Sequence, residues 1–176
     1  ETGQIRETSG EIEFSYPYSV EQRMRPEPIT LLKFALQQTF LTGTARGYSK
    51  KDVDKWNAGG KTGTSDDQRD SWFVGFAGDI LVLVWLGFDD NRPTVLTGRT
   101  GAFQVWKNFI NDINPVPTKK TKLQRIQYVW TDIDDGLLSG KSCKNSLLVP
   151  FIRGTEPIKV PNVRKKCFSK NPSNGE

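Results

Sequence analysis

Residues 58–65 read Ala-Gly-Gly-Lys-Thr-Gly-Thr-Ser. A lysine set between glycines and hydroxyl residues has two physical readings, and each needs different flanks. A phosphate-cradling loop needs Gly, four residues, Gly-Lys-Ser/Thr, and then a helix whose N-terminus meets the phosphates. Counting back from Gly60, the required first glycine falls on Lys55. After Thr62 come Gly63, Thr64, Ser65, Asp66 and Asp67, a poor helix start that would set two acids beside the phosphates. The preceding segment, Lys50 to Asn57, is too polar for a buried strand. Spacing and both flanks therefore exclude the cradle. On an extended strand, by contrast, Lys61 and Gly63 point one way and Thr62 and Thr64 the other. Such a strand offers a cation, hydroxyl donors and, at Gly63, bare backbone that a pairing peptide can approach.

The surroundings fit the strand. Ser71–Ala77 and Ile80–Phe88 are apolar runs joined by Gly78-Asp79, a two-residue hairpin signal. Both runs are apolar at nearly every position, which predicts a sheet covered on both faces. Gly101–Ile110 reads as a closing helix with Ala102, Val105, Trp106 and Phe109 on one side. Upstream, Pro26-Glu27-Pro28 opens a helix, Ile29, Leu32, Leu36 and Phe40 give its apolar face, and Gly43 ends it. Gly47–Lys55 reads as a polar loop, and residues 4–24 as a short β ribbon turning at Ser9-Gly10. The order of elements predicts an α+β fold, an antiparallel sheet flanked by helices.

The charge is uneven. Residues 1–115 hold 13 basic and 15 acidic side chains, and residues 116–176 hold 12 and 5, so the net +5 belongs to the C-terminal third. A boundary near Pro115-Val116-Pro117 follows, with residues 1–115 as one unit and 116–176 as a basic extension. In that extension Ile126–Thr131 alternates, Asp134-Asp135-Gly136 turns, Leu137-Leu138 resumes, and Leu147–Ile152 forms a further short strand. A small β-rich appendage with a polar, disordered end at Ser169–Glu176 is the expectation. The basic surface is either solvated or turned to an anionic partner. No nucleic-acid module accompanies it, so nucleic acid is not an expected partner.

The 176 residues are 35% hydrophobic and 11% aromatic, enough for a core, with no apolar run near the ~18 residues of a membrane span. No signal-peptide pattern opens the chain, and its first residue, Glu1, leads to the expectation of a processed product or a piece of a longer chain. There is no histidine, which removes Ser-His-Asp and Cys-His triads and histidine metal sites from this chain. Cys143 and Cys167 lie 24 positions apart, so no CxxC knuckle exists, and neither a metal nor a cofactor is expected. The two cysteines are either buried thiols or a disulfide. The disulfide is the preferred expectation; it would contribute about 3 kcal/mol through loop closure and imply an oxidising compartment.

Lys-Thr-Gly followed by a turn and an apolar hairpin suits a penicillin-recognising acyltransferase. The run Ala58–Phe76, AGGKTGTSDDQRDSWFVGF, resembles the third active-site motif and following hairpin of class A bifunctional penicillin-binding proteins. Gly60-Lys-Thr-Gly-Thr64, Asp70, Trp72-Phe73 and Gly75 match that pattern in order. Pro28–Gly47 is similar to the helix and Gly-Thr segment before the motif, and Val84–Ile110 to the closing region after it. The tail with its cysteines is similar to the C-terminal extension of the 1B type. The resemblance implies part of a β-lactamase/transpeptidase-like fold. It implies that Lys61 lies beside a catalytic serine, anchors the substrate carboxylate and tunes proton transfer. Thr62, Gly63 and Thr64 would bind substrate, and the Thr64 N–H would supply an oxyanion donor. Asp70 and Trp72 would be structural. The parent enzyme would cross-link peptidoglycan stem peptides through a serine acyl-enzyme and be acylated by β-lactams. Its place would be the periplasm, at the outer face of the bacterial inner membrane, held there by an anchor outside this chain.

The family also needs Ser-x-x-Lys and Ser-x-Asn before Lys-Thr-Gly. No serine here has lysine three positions on, and the Ser-x-Asn at Ser169-Lys170-Asn171 follows the motif instead of preceding it. The chain therefore reads as the C-terminal portion of a transpeptidase domain without its nucleophile, inactive alone and needing the N-terminal part of the same domain. The alternative is a non-catalytic module that binds cell-wall polymer or a partner protein.

Overall fold

A computed structural model describes residues 2–6, 12–17, 21–119 and 121–158. The expected α+β architecture is present. Strands β1 (Thr2–Arg6) and β2 (Ile12–Pro17) form an antiparallel ribbon, irregular between Ile5 and Arg6. The turn expected at Ser9-Gly10 lies outside the described residues. Helix α1 (Pro26–Leu41) starts with proline in its first turn, where the missing N–H costs nothing. Of its expected apolar stripe only Phe40 is buried, and Leu32 is exposed.

The segment read as a polar loop instead contains helix α2 (Lys50–Trp56). Ser49 and Asp52 form a reciprocal capping box, and Asn57 ends the helix in the left-handed region. Its inward stripe is just Val53 and Trp56, too short a pattern to stand out from a polar background.

The central sheet has the order β3-β4-β5, with β3 at Gly59–Thr64, β4 at Ser71–Ala77 and β5 at Ile80–Leu86. Both pairings are antiparallel. The β4–β5 turn is Gly78-Asp79 with a positive φ at Gly78 only, the pattern of a type II′ hairpin. Helix α3 (Ala102–Ile113) closes the layer. It buries Ala102, Phe103, Trp106 and Ile110, whereas Val105 and Phe109, expected on the inner side, are exposed. Phe40, Phe73, Phe103 and Trp106 form the centre of the core with ring centroids from 5.0 to 6.5 Å apart. Full burial of each contributes on the order of 1.5–3 kcal/mol, which makes this cluster the main anchor of α1 and α3 on the sheet.

Among the described residues the sheet is covered on one face only. Ser71, Phe73 and Ala77 of β4 are buried on the side of α3, but Trp72, Val74, Leu81, Leu83 and Trp85 are exposed on the other. Helix α1 reaches that second face only at its Gly59–Phe76 end, so these five apolar side chains meet solvent.

Beyond α3, β6 (Ile126–Asp132) pairs antiparallel with β7 (Ser146–Ile152) as a separate sheet. The expected return through Leu137-Leu138 reduces to one bridge, Thr131 to Leu138. The full-length β7 offers a longer register and takes the partner's place. This hairpin packs against α1. A cavity of about 1030 Å³ lies between it and α1 and α2, lined by Phe34, Leu41, Tyr128, Trp130 and Leu148 among others.

Candidate active-site strand

The faces of β3 follow from its register. Cross-strand partners share a face. Lys61 is opposite Val74 and Gly63 opposite Trp72, both on the uncovered face. Thr62 is opposite Phe73 and Thr64 opposite Ser71, both fully buried, so the two threonines lean toward the core. The backbone alternates too, each residue of an antiparallel strand sending its N–H and C=O to the same side. The Gly60 carbonyl accepts from Thr39 Oγ1 at 2.6 Å and the Thr62 carbonyl from Lys61 Nζ at 2.8 Å, both donors coming from outside the β3–β4 seam. Gly60, Thr62 and Thr64 therefore direct their backbone groups away from β4, and the N–H groups of Thr62 and Thr64 face an open edge.

The four expected site residues are thus brought together on one strand. Lys61 is exposed, and its Nζ also lies 3.4 Å from Thr62 Oγ1. A Cβ at Gly63 would come within 3.2 Å of Trp72 Cβ, so glycine keeps the open face beside Lys61 shallow. Thr64 Oγ1 accepts from Gly98 N at 2.9 Å. Gly98 in turn packs over the β3–β4 seam.

Asp70 behaves as the resemblance implies. Its N–H donates to Ser65 Oγ at 2.7 Å, its carbonyl accepts from Ser65 N at 3.2 Å, and its carboxylate accepts from Trp85 Nε1 at 2.9 Å. These bonds close the loop between β3 and β4 over a short 3-10 turn at Asp66–Gln68. Trp72 lies against Trp85 with ring centroids 6.0 Å apart.

The sequence reading missed the residues that hold β3 from outside. Thr39 anchors the Gly60 carbonyl, Thr44 Oγ1 lies 2.8 Å from Thr62 Oγ1, and Gly98 holds Thr64. The only signal was the Gly43-Thr44 pair after α1, and a hydroxyl there has no periodicity to reveal its partner.

Cys143 is buried, and no described cysteine is free. Cys167 lies outside the described residues, as do Ser169-Lys170-Asn171 and the end expected to be disordered. Among the described residues no three acidic or thiol side chains cluster to hold a metal, and no helix is long and apolar enough to cross a membrane.

The α+β layer with its glycine-flanked edge strand was compared with known proteins. No protein-family model matches the chain. Penicillin-binding protein 1B of Haemophilus influenzae is 42% identical over 110 residues, 62% of this chain and 14% of that protein. Penicillin-binding protein 1B of Escherichia coli is 29% identical over 68% of this chain and 14% of that protein. The crystal structure of penicillin-binding protein 1A from Haemophilus influenzae superposes with a TM-score of 0.61 at 25% identity, covering 87% of this chain and 23% of that one. The chain is thus a homologue of penicillin-binding proteins, several of its relatives being named 1B. It spans about one-seventh of the length of the 1B relatives from Haemophilus influenzae and Escherichia coli.

Proposed function

We propose that this chain is the C-terminal portion of the transpeptidase domain of a peptidoglycan-cross-linking enzyme, with residues 1–115 belonging to that domain and 116–176 forming a basic extension. The observation that carries this is the open edge of β3. Lys61 stands at an edge where, among the described residues, the N–H groups of Thr62 and Thr64 have no strand partner. Such an edge can pair with an extended peptide, hold its terminal carboxylate with Lys61 and Thr62, and direct the Thr64 N–H at a developing oxyanion.

The nucleophile is a serine on a preceding segment of the same polypeptide. That segment covers the face bearing Lys61, Trp72, Val74, Leu83 and Trp85. Acyl transfer then runs through a serine ester. The stem-peptide carbonyl is attacked, the terminal residue leaves with a proton, and an acceptor amine takes the acyl group. Lys61 acts beside that serine as carboxylate anchor and participant in proton transfer. β-Lactams acylate the same serine. The protein works in the periplasm at the outer face of the inner membrane, where Cys143 and Cys167 pair.

Labelling with a fluorescent penicillin tests the reading. The 176-residue chain should stay unlabelled, and the polypeptide extended upstream to include a Ser-x-x-Lys should label. Lys61→Ala in the longer form should abolish labelling. Covalent labelling of the 176-residue chain alone would sink the proposal. An intact mass two protons below that of the reduced chain checks the disulfide.

A further inference from the structure

The cavity of about 1030 Å³ between α1, α2 and the β6–β7 hairpin has no part in acyl transfer at β3. Its volume stands at the top of the roughly 300–1,000 Å³ range of small-molecule pockets, room for several linked rings. Three kinds of side chain line it. Tyr128 and Trp130 are two residues apart on β6, so they share one face with Cα atoms roughly 7 Å apart. Neither ring belongs to the core cluster, and Tyr128 is 57% exposed. From the helical side come the amides of Gln37, Gln38 and Asn57, with Gln37 Nε2 donating to Asn57 Oδ1 at 2.6 Å. Lys33, Lys50 and Lys119 stand on the lining against a single acid, Asp54, which Lys50 pairs at 3.6 Å.

This lining narrows the ligand. An acyl chain would desolvate the amides and the lining hydroxyls of Thr30, Thr118 and Thr121 without giving them partners. An extended peptide adding to β6 at Trp130 finds that carbonyl already accepting from Ser139 N at 2.9 Å. A sugar fits all three kinds of side chain. The C–H face of a pyranose packs flat on an aromatic ring, and its hydroxyls and N-acetyl groups exchange hydrogen bonds with side-chain amides, which both donate and accept. Carboxylates carried by the sugars complement the excess of lysines.

We infer that this groove is a second, non-catalytic site that holds an anionic N-acetylated glycan strand. Its identification with the polymer being cross-linked rests on the proposed transpeptidase function. Helix α1 links the two places. Gln37 and Gln38 line the groove, and the next residue, Thr39, holds the Gly60 carbonyl of β3 at 2.6 Å. A strand held in the groove keeps its pendant peptides close to β3 and raises their effective concentration there.

The experiment uses the full-length polypeptide that contains this chain. The main probe is fluorescein-labelled peptidoglycan glycan stripped of its stem peptides, which keeps the muramic carboxylates and offers β3 no peptide. A neutral chitin oligomer of similar length is the second probe. Fluorescence anisotropy reads the dissociation constant for each. Trp130→Ala should weaken binding of the stripped glycan about ten-fold, and Trp130→Phe should keep it within about two-fold of wild type. Lys119→Glu should weaken the stripped glycan about five-fold and leave the chitin oligomer unchanged. Penicillin labelling equal to wild type shows that each variant is folded. If Trp130→Ala loses it, Lys119→Glu decides, together with Thr121→p-benzoylphenylalanine, which should attach the stripped glycan on irradiation. Unchanged affinity in Trp130→Ala and Lys119→Glu, or irradiation that attaches only protein, overturns the inference and leaves the transpeptidase reading standing. A wild-type polypeptide that binds the stripped glycan through Trp130 but takes no penicillin overturns the transpeptidase reading and keeps the groove site.

Discussion

Ser71→Ala is the change that should cost this fold most for the loss of one atom. Ser71 is fully buried on β4, and its Oγ accepts from Ala102 N at 2.9 Å and donates to the Thr97 carbonyl at 2.8 Å. The N-cap of α3 is Gly101, which has no side chain to cap the helix. Ser71 therefore caps α3 from across the sheet. Removing Oγ has unequal effects on its two partners. The Thr97 carbonyl keeps a second donor, Gly101 N at 2.9 Å, and stays satisfied. The Ala102 N–H is left buried without an acceptor. One orphaned buried donor costs about 1–3 kcal/mol, the same range as the loss of a helix cap. Taking about 2 kcal/mol, and a urea slope of about 2 kcal/mol/M for a chain of this size, the unfolding midpoint should fall by about 1 M. The assay is equilibrium urea unfolding of wild type and variant, followed by tryptophan fluorescence. The slope should not change. Hydrogen exchange should also quicken at Gly98, one turn before the helix, because its N–H holds Thr64. A midpoint shift below about 0.3 M at unchanged slope would refute the remote-cap reasoning.

Three further outcomes follow from the same structure. Burial, assisted by the Asp52 carboxylate, pushes the Tyr48 hydroxyl from 10.0 up to about 12. Its contribution to stability is complete below about pH 10 and is lost as pH rises through about 12, so urea midpoints should fall over that window in wild type and less in Tyr48→Phe. The Ser49 hydroxyl, opposed by some burial, holds the Asp52 carboxyl below its usual 3.8. That stability is present above pH 3.8 and fades as pH falls through the lower folded value, and Ser49→Ala should bring the carboxyl titration, followed by NMR, back toward 3.8. Leu83 and Trp85 lie on the uncovered sheet face, so the 176-residue chain should self-associate and Leu83→Lys should weaken that association. A wild-type chain sedimenting as a monomer at all concentrations would refute this last expectation.

Much of the architecture was legible because its signals are local. Gly78-Asp79 between apolar runs marks a hairpin, prolines mark the start of α1, and Lys-Thr-Gly with its flanks marks β3. The errors have physical causes. A seven-residue helix with two inward residues shows no usable period, so α2 read as loop. In α3, Ala102, Val105, Trp106 and Phe109 and the observed set Ala102, Phe103, Trp106 and Ile110 are both apolar stripes at helical spacing, and only the position of the sheet chooses between them. The partner of β6 was misassigned because a nearby turn signal outweighed a more distant but longer strand. Apolarity on both sides of β4 and β5 reports the burial these strands are built for. It does not report what covers them among the described residues.

The two faces of β3 differ in anchoring as well as in chemistry. Thr62 and Thr64 are tied to the core side through Thr44 and Gly98, and Gly98 sits one turn before the helix that Ser71 caps. Lys61 and Gly63 lie on the uncovered side, where Lys61 folds over the edge onto Thr62. The hydroxyl side of the strand is therefore held by the fold, and the lysine side is not. Stability and strand geometry are linked through Ser71 and α3 on the core face. A change that loosens α3 should disturb Thr64 before it disturbs Lys61. Covering the open face should do the reverse, moving the Lys61 ammonium off the Thr62 carbonyl while the threonine hydroxyls stay in place.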